Sequence, residues 1–221
     1  SGAPTVGEYD PQHINNPNGI AIDSQGRVWV AENDNYPRRV SVWSAEGKLV
    51  RTFYGPTEYG GGGVLDSRDA NVFFYKGLEF ALDWNGGSDS LKRVFARPDP
   101  LLDAHYGHFS PDWPLYPSRG QGRRYFTSCY THTPTGGDNV AFIWLDTGKE
   151  ARLVAALGDA HAWKFLREQP EFRTVWPPGS KPEEENPQPD KHATFLWMDL
   201  NTDRKPQPAE LRMIQGEARG V

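Results

Sequence analysis

The sequence predicts an all-β protein with little helix. Its 221 residues include 23 glycines, 19 prolines, eight tryptophans, nine tyrosines and eleven phenylalanines. Glycine and proline mark turns, and aromatic residues are enriched in strands, so this composition fits many short strands better than a helical bundle. At this length we expect one or two domains with a sizeable buried core.

Residues 16–54 form the clearest unit of this β pattern. Three apolar stretches, GIAID, VWVAE and VSVWS, are separated by segments rich in turn formers, SQGR, NDNYPRR and AEGK. Short strands that recur every eight to twelve residues or so, with tight turns between them, are typical of an antiparallel meander. A meander of this size predicts one blade of a β-propeller.

The rest of the chain continues this pattern of short strands and turns, with two interruptions. We therefore treat residues 1–221 as a single β-propeller or a segment of a longer one. Its blade-like units lie at about 16–54, 71–97, 122–157 and 192–215, with excursions at 98–121 and 158–191.

One helix is expected, inside the second excursion. The stretch DAHAWKFLREQPEF places Ala162, Phe165 and Leu166 on one face, with Asp159 as the cap and Pro170 as the interruption. The sequence therefore predicts a single short helix in an otherwise β fold.

The first unit resembles an NHL repeat, a blade with a P-x-G-I-A-x-D-x-x-G start, a V-x-V-A strand and an Asp-Asn turn. The residues that carry the resemblance are Pro17, Gly19, Asp23, Gly26, Trp29, Ala31, Asn33 and Gly47. NHL propellers usually close with about six blades, but four blade-like units and two excursions already use up the length of this chain. The resemblance therefore implies an open or incomplete ring of about four to five blades. A distorted closed ring, completed by the N-terminal residues, is the other expectation.

The segment Asp199–Glu210, DLNTDRKPQPAE, has the ligand spacing of an EF-hand-like calcium loop. Oxygen-bearing side chains stand at its first, third and fifth positions, and a carboxylate closes it at the twelfth. Calcium requires six to eight oxygen ligands, and the expected set is Asp199, Asn201, Asp203, the carbonyl of Lys205, Gln207 and Glu210. Arg204 stands at the sixth position, where the sharp turn usually takes glycine, and is the residue that most threatens the site.

A calcium loop inserted between two strands also resembles the large exported bacterial propeller proteins. That resemblance implies an extracytoplasmic location, whether secreted, periplasmic or cell-surface. The N-terminal Ser-Gly-Ala lacks the parts of a signal peptide, so we expect that any leader has already been removed.

Charge and hydropathy exclude two classes of partner. The net charge is −5 and no basic cluster is longer than two residues, which disfavours nucleic acid. No apolar run approaches the roughly twenty residues that a membrane span needs. The single cysteine, Cys129, excludes an intramolecular disulfide and a cysteine-rich zinc site.

Two weaker constellations are a histidine pair and a set of aromatic residues. His105 and His108 in DAHYGHF have a spacing at which two rings can share one metal. Several aromatic residues could provide a stacking platform for sugar rings, although most are expected to pack between blades. These aromatic residues are Trp29, Tyr36, Trp43, Trp84, Trp113 and Trp144.

The leading functional hypothesis is a non-enzymatic binding or scaffold module that is stabilised by calcium and binds a protein or polysaccharide through blade loops. One alternative is a metal-dependent hydrolase similar to the gluconolactonase family, with Glu32 and Asp83 as candidate metal ligands near the propeller axis. Another is a structural subunit of an extracellular assembly, in which exposed sheet edges contact additional propeller sequence or other copies of the chain. The enzymatic role is the less favoured one.

Overall fold

Short antiparallel strands make up nearly all of the regular structure in a computed structural model of the chain. It describes residues 9–32, 37–55, 63–95, 101, 111, 113–127, 140–184 and 187–216. The all-β prediction is confirmed, with one short α-helix in the described residues. Four residues singled out in the sequence analysis lie outside this part of the chain: Tyr36, His105, His108 and Cys129.

The chain divides into two compact units, residues 1–97 and 98–221. The first unit holds two four-stranded sheets, each a meander in chain order. Their strands are β1 (Pro17–Ile22), β2 (Val28–Glu32), β3 (Arg39–Trp43), β4 (Leu49–Tyr54), β5 (Val64–Leu65), β6 (Val72–Tyr75), β7 (Leu78–Asp83) and β8 (Ser88–Val94).

The turn between β1 and β2 shows why the sequence forms hairpins here. The Asp23 carboxylate accepts hydrogen bonds from the backbone amides of Gln25, at 2.9 Å, and of Arg27, at 3.0 Å. Gly26 has a φ of +75°, in the left-handed region that glycine enters without steric cost. An aspartate followed by glycine three residues later thus fixes the register of the strands on either side.

The core of the second sheet includes residues from β7 and β8. Leu78, Phe80, Leu91 and Val94 form one buried cluster. Tyr54 at the end of β4 packs its ring edge-on against Phe80, with the ring centroids 5.7 Å apart. The two sheets of this unit therefore meet through aromatic side chains.

The second unit is built on one six-stranded sheet in chain order. Its elements are β9 (Trp113–Leu115), β10 (Tyr125–Thr127), β11 (Val140–Asp146), β12 (Ala151–Asp159), α1 (Lys164–Glu168), β13 (Ala193–Met198) and β14 (Leu211–Gln215), with 3-10 turns at Pro170–Val175, Pro189–Lys191 and Pro208–Glu210.

This sheet draws its strands from three of the segments named in the sequence analysis. Strands from the units placed at 122–157 and 192–215 are paired in one sheet, because β12 and β13 are hydrogen-bonded neighbours. The stretch 98–121, expected as an excursion, contributes strand β9. The sheet of the first unit that contains β6–β8 likewise begins at Val64, before the expected start near residue 71.

The predicted helix exists but is shorter than expected. It covers only Lys164–Glu168, and its N-cap is Trp163. Asp159, predicted as the cap, is the last residue of β12, where it pairs with Thr194. Its carboxylate instead accepts the backbone amide of His161, so the turn after the strand takes the place of a first helical turn.

Trp163 anchors this excursion on the sheet. Its side chain is almost fully buried, and its ring stacks on Phe195 at 5.2 Å and lies 5.9 Å from Trp197. Its indole N–H donates to the carbonyl of Leu101 at 2.6 Å. One face of the sheet therefore holds the core of the unit. In the described residues, no helix is long and apolar enough to cross a membrane.

Candidate functional site

The loop 199–210 connects β13 to β14, at the edge of the six-stranded sheet. Asp199 follows β13 directly, and its amide donates to the carbonyl of Val154 on β12 at 2.9 Å. The 3-10 turn Pro208–Glu210 leads directly into β14. Both ends of the loop are thus held by regular structure.

Glu210, the twelfth position, points inward and is buried. Its Oε1 accepts the amides of Leu200, at 2.9 Å, and Asn201, at 3.3 Å, while its Oε2 accepts the indole N–H of Trp197 at 3.1 Å. The closing carboxylate therefore reaches back to the beginning of the loop. Three N–H donors hold it there, which suits an ionised group.

Asp199, the first position, is the unsatisfied group of the loop. Both of its carboxylate oxygens are inaccessible to solvent and accept no hydrogen bond from the described residues. A buried polar group without a partner costs free energy, and a carboxylate costs more than a neutral group. Its two oxygens are therefore available for a cation.

Asn201 and Asp203, the third and fifth positions, are exposed and fold the loop. Asn201 Oδ1 accepts the amide of Asp203 at 3.0 Å, and Asp203 Oδ1 accepts the amide of Lys205 at 2.8 Å. Gln207 donates its side-chain amide to Asp203 Oδ2 at 2.6 Å. These side chains alternate along the loop, as the ligand pattern requires, but they bond within the loop.

Arg204 adopts the backbone conformation that glycine usually provides. Its φ is +65°, and Thr202 two residues earlier has a φ of +64°. The Arg204 guanidinium forms an ion pair with Glu150 in the turn between β11 and β12. The sharp turn is therefore made without glycine, by an arginine in the left-handed region, which is a strained conformation for a residue with a Cβ.

The carboxylates of this loop are not drawn together in the structure. Within the described residues, the ligand atoms of three or more His, Cys, Asp or Glu side chains lie within 4.8 Å of one another at one place, Asp159, His161 and His192. Cation binding at the loop therefore requires side chains such as Asp203 to turn away from their present hydrogen bonds.

The two carboxylates proposed for a hydrolase have structural partners. Glu32 is buried and forms an ion pair with Arg39, with an Nε to Oε2 distance of 2.6 Å. Asp83 is exposed and accepts the amides of Asn85, at 3.1 Å, and Gly86, at 2.9 Å, in the turn after β7. Glu32 is thus neutralised and Asp83 forms a turn.

Most of the described aromatic candidates are packed. Trp43 and Trp144 are buried, and Trp29 stacks on Phe53 with centroids 5.9 Å apart. Trp84 is the exception, since 63% of its surface is exposed while its indole N–H donates to the carbonyl of Ala70. One flat apolar face is therefore available at the tip of the β7–β8 hairpin.

A buried cluster that the sequence did not predict lies at the junction of β12 and β13. Asp159 Oδ1 is 3.2 Å from His161 Nδ1, and Asp159 Oδ2 is 2.7 Å from His192 Nδ1. His192 Nε2 is 3.1 Å from the carbonyl of Pro187. Burial alone raises the pKa of the Asp159 carboxyl, but the hydrogen bonds from His161 and His192 outweigh it and hold this pKa below its ordinary value.

His161 is completely buried, and its ring lies edge-on to Trp176 with centroids 4.7 Å apart. Its Nε2 has no hydrogen-bond partner among the described residues. The spacing of His161 and His192 in the sequence does not group them. The signal for a joint site was weak: Asp-x-His at the end of one strand, and a histidine directly before a later strand.

Comparisons with known proteins agree with the pattern of the first unit. No curated protein matches the chain. The NHL repeat family matches residues 15–42, which form strands β1 and β2 and most of β3. An NHL repeat in a fold of antiparallel sheets is consistent with a propeller-type module that binds other proteins.

Proposed function

We propose that this protein is a non-enzymatic, extracytoplasmic β-propeller-type binding module, stabilised by a calcium ion in the loop 199–210. The observation that carries the calcium proposal is the Asp199 carboxylate, whose two oxygens are buried without a hydrogen-bond donor among the described residues. A cation that replaces those missing partners removes the cost of burying the charge.

The donor set of the loop favours calcium over other metals. Carboxylates, an amide and a backbone carbonyl are hard oxygen ligands, and the loop contains no histidine or cysteine. Calcium accepts six to eight such ligands in flexible geometry, whereas magnesium demands a near-ideal octahedron. A loop with arginine at its sixth position suits calcium better for this reason, with an affinity in the range of about 10⁻⁴ to 10⁻³ M that extracellular modules show.

The position of the loop suggests what the ion does. β14 is an edge strand, bonded on one side to β13. A cation held by Asp199 and Glu210 would tie the end of β13 to the start of β14 and stiffen that edge. The role is structural and does not need the paired loops of a calcium switch.

The partner is a protein or a polysaccharide, bound through the loops between strands. The NHL repeat supports a protein partner, and the exposed ring of Trp84 supports stacking of a sugar. A pull-down from extracellular material tests for a protein partner, and a glycan array tests for a carbohydrate. Trp84→Ala should abolish binding to the glycan array and leave binding to a protein unchanged.

Terbium luminescence tests the calcium site directly. The Trp197 indole contacts Glu210, so it will sensitise a terbium ion bound in the loop, and calcium will compete for the same ion site. Asp199→Asn and Glu210→Gln should each weaken binding at least tenfold. Asp190→Asn, an exposed aspartate elsewhere in the same unit, is the matched control and should bind normally.

The proposal also predicts a higher melting temperature in millimolar calcium, because a ligand that binds only the folded state stabilises it. Calorimetry that shows no calcium uptake at millimolar concentration would overturn the calcium site. So would an Asp199→Asn variant with unchanged terbium signal and unchanged melting temperature.

A further inference from the structure

We propose that Asp159, His161 and His192 form a second metal site, which takes a divalent transition metal such as Zn²⁺. This site shares no residue with the loop 199–210. Two imidazoles and one carboxylate are a ligand set that zinc and its neighbours prefer and that calcium does not.

Strand pairing brings the three residues together from distant positions in the chain. Asp159 ends β12 and pairs with Thr194 of β13, while His192 directly precedes β13. The amide of Ala160 donates to the carbonyl of Ala193 at 2.8 Å and extends the pairing past the strand. The backbone therefore fixes the cluster independently of its side chains.

The spacing of the ligand atoms suits a small ion. One atom from each residue lies within 4.8 Å of the other two. Ligands at about 2.0–2.1 Å from a tetrahedral zinc lie roughly 3.4 Å from one another. The separations of 3.2 Å from Asp159 Oδ1 to His161 Nδ1 and of 2.7 Å from Asp159 Oδ2 to His192 Nδ1 are near that value and require only a small expansion.

His192 has the second contact that metal-binding histidines usually make. Its Nε2 faces the carbonyl of Pro187, a contact in which Nε2–H donates. In the neutral ring, Nδ1 then carries a lone pair that faces the Asp159 carboxylate at 2.7 Å. Two lone pairs at that distance repel, so a proton or a metal cation must lie between them.

His161 adds a buried polar atom that is unsatisfied within the described part of the chain. Its Nδ1 faces Asp159 and also the amide of Ala193, at 3.4 Å, while Nε2 has no partner there. A fully buried imidazole with such a nitrogen is uncommon, because burial without a hydrogen bond costs free energy. Nδ1, the ring atom that faces Asp159, is the one whose lone pair a metal in the cluster would accept, and Nε2 then carries the proton.

The ion would act at the base of the excursion between β12 and β13. This segment contains α1 and two 3-10 turns and begins and ends at the cluster. A metal that joins Asp159 to His192 closes it as a loop and restricts its unfolded conformations. Zinc should therefore protect the trypsin sites in residues 164–191 from cleavage, and a chelator should expose them.

Zinc titration of the chelator-treated full chain tests the site. We expect one zinc per chain, and His192→Gln should weaken binding at least tenfold, which is the lower end of the loss typical even for groups that only orient a metal ligand. His13→Gln, in the other unit, is the matched control and should bind zinc normally. Asp199→Asn should lose terbium binding but keep zinc, which separates this site from the calcium loop.

Two further measurements test the site without relying on a variant that loses metal binding. His192→Cys supplies a thiolate, so with Co²⁺ it should gain a thiolate-to-metal charge-transfer band that the wild type lacks. In wild-type protein, NMR of the histidine ring nitrogens should show zinc-induced shifts at two of the six histidines. Absence of zinc binding, equal affinity of His192→Gln and the wild type, or no cobalt band would overturn the proposal.

Discussion

Removing the charge of Glu32 should strongly destabilise the first unit, because its partner is a fully buried arginine. Arg39 is 2% exposed and Glu32 is 3% exposed. Arg39 Nε contacts both carboxylate oxygens of Glu32, at 2.9 Å and 2.6 Å. Its two other nitrogens donate to the hydroxyl of Tyr9 and to the carbonyls of Pro11 and His13. Burial lowers the pKa of the Arg39 guanidinium, but the hydrogen bond with Glu32 and the other contacts raise it above its ordinary value.

The loss of unfolding free energy depends on how Arg39 is left when its partner is neutral. Glu32→Gln keeps the shape of the side chain but leaves an uncompensated charge in the interior, which costs about 3–5 kcal/mol. That loss is a large part of the total stability of a domain. The double variant Glu32→Leu with Arg39→Met removes both charges, so it should cost much less than the sum of the single changes.

Hydrogen exchange measured on peptides from β2 and β3 reports on this pair without signal from the second unit. Glu32→Gln should speed the exchange of these amides by at least two orders of magnitude, while Glu46→Gln, an exposed acid in the turn after β3, should leave it unchanged. If Glu32→Gln lowered the free energy of unfolding by less than about 1 kcal/mol, the reasoning would be refuted, since the loss of an exposed ion pair has an effect of that size.

Three further predictions concern the second unit. Trp163→Ala should cost about 3–5 kcal/mol, because it empties the core and leaves the Leu101 carbonyl without its donor, and thermal unfolding followed by circular dichroism measures it. Arg204→Gly should be more stable than Arg204→Ala by about 1 kcal/mol in urea unfolding, since both lose Glu150 but only alanine keeps the left-handed strain. The lowered pKa of Asp159 stabilises the fold above the ordinary aspartate pKa, so stability should fall as the pH drops below about 4. Asp159→Asn should flatten that dependence.

The strands were predictable because the signals that form them are local. VWVAE and VSVWS are rich in valine and tryptophan, which favour strands, and each is followed in the sequence by a segment of turn-forming residues. The pairing of two strands across a long excursion has no such local signal. The sequence of residues 151–159 does not indicate that β13, which begins more than thirty residues later, pairs with β12. The sequence therefore does not predict that one sheet runs through the second unit.

The helix boundary was predicted less well because two uses of one residue compete. An aspartate before a helical period is a good cap, and it is equally good at closing a turn after a strand. Asp159 does the second, since its carboxylate accepts the amide of His161 and also contacts the His192 ring. The tertiary contact, which the local sequence does not contain, decides between the two.

The two candidate metal sites show the same contrast at the level of function. The expected ligands of the loop 199–210 all stand in one segment, so their spacing alone predicts a chemistry. That spacing does not predict that the Asp199 carboxylate is buried without a donor among the described residues, which depends on the sheet beside it. Asp159 and His192 are separated by the whole excursion, and a site of that kind becomes visible only when two strands pair. Sequence spacing therefore finds sites that a loop assembles, and misses sites that a sheet assembles.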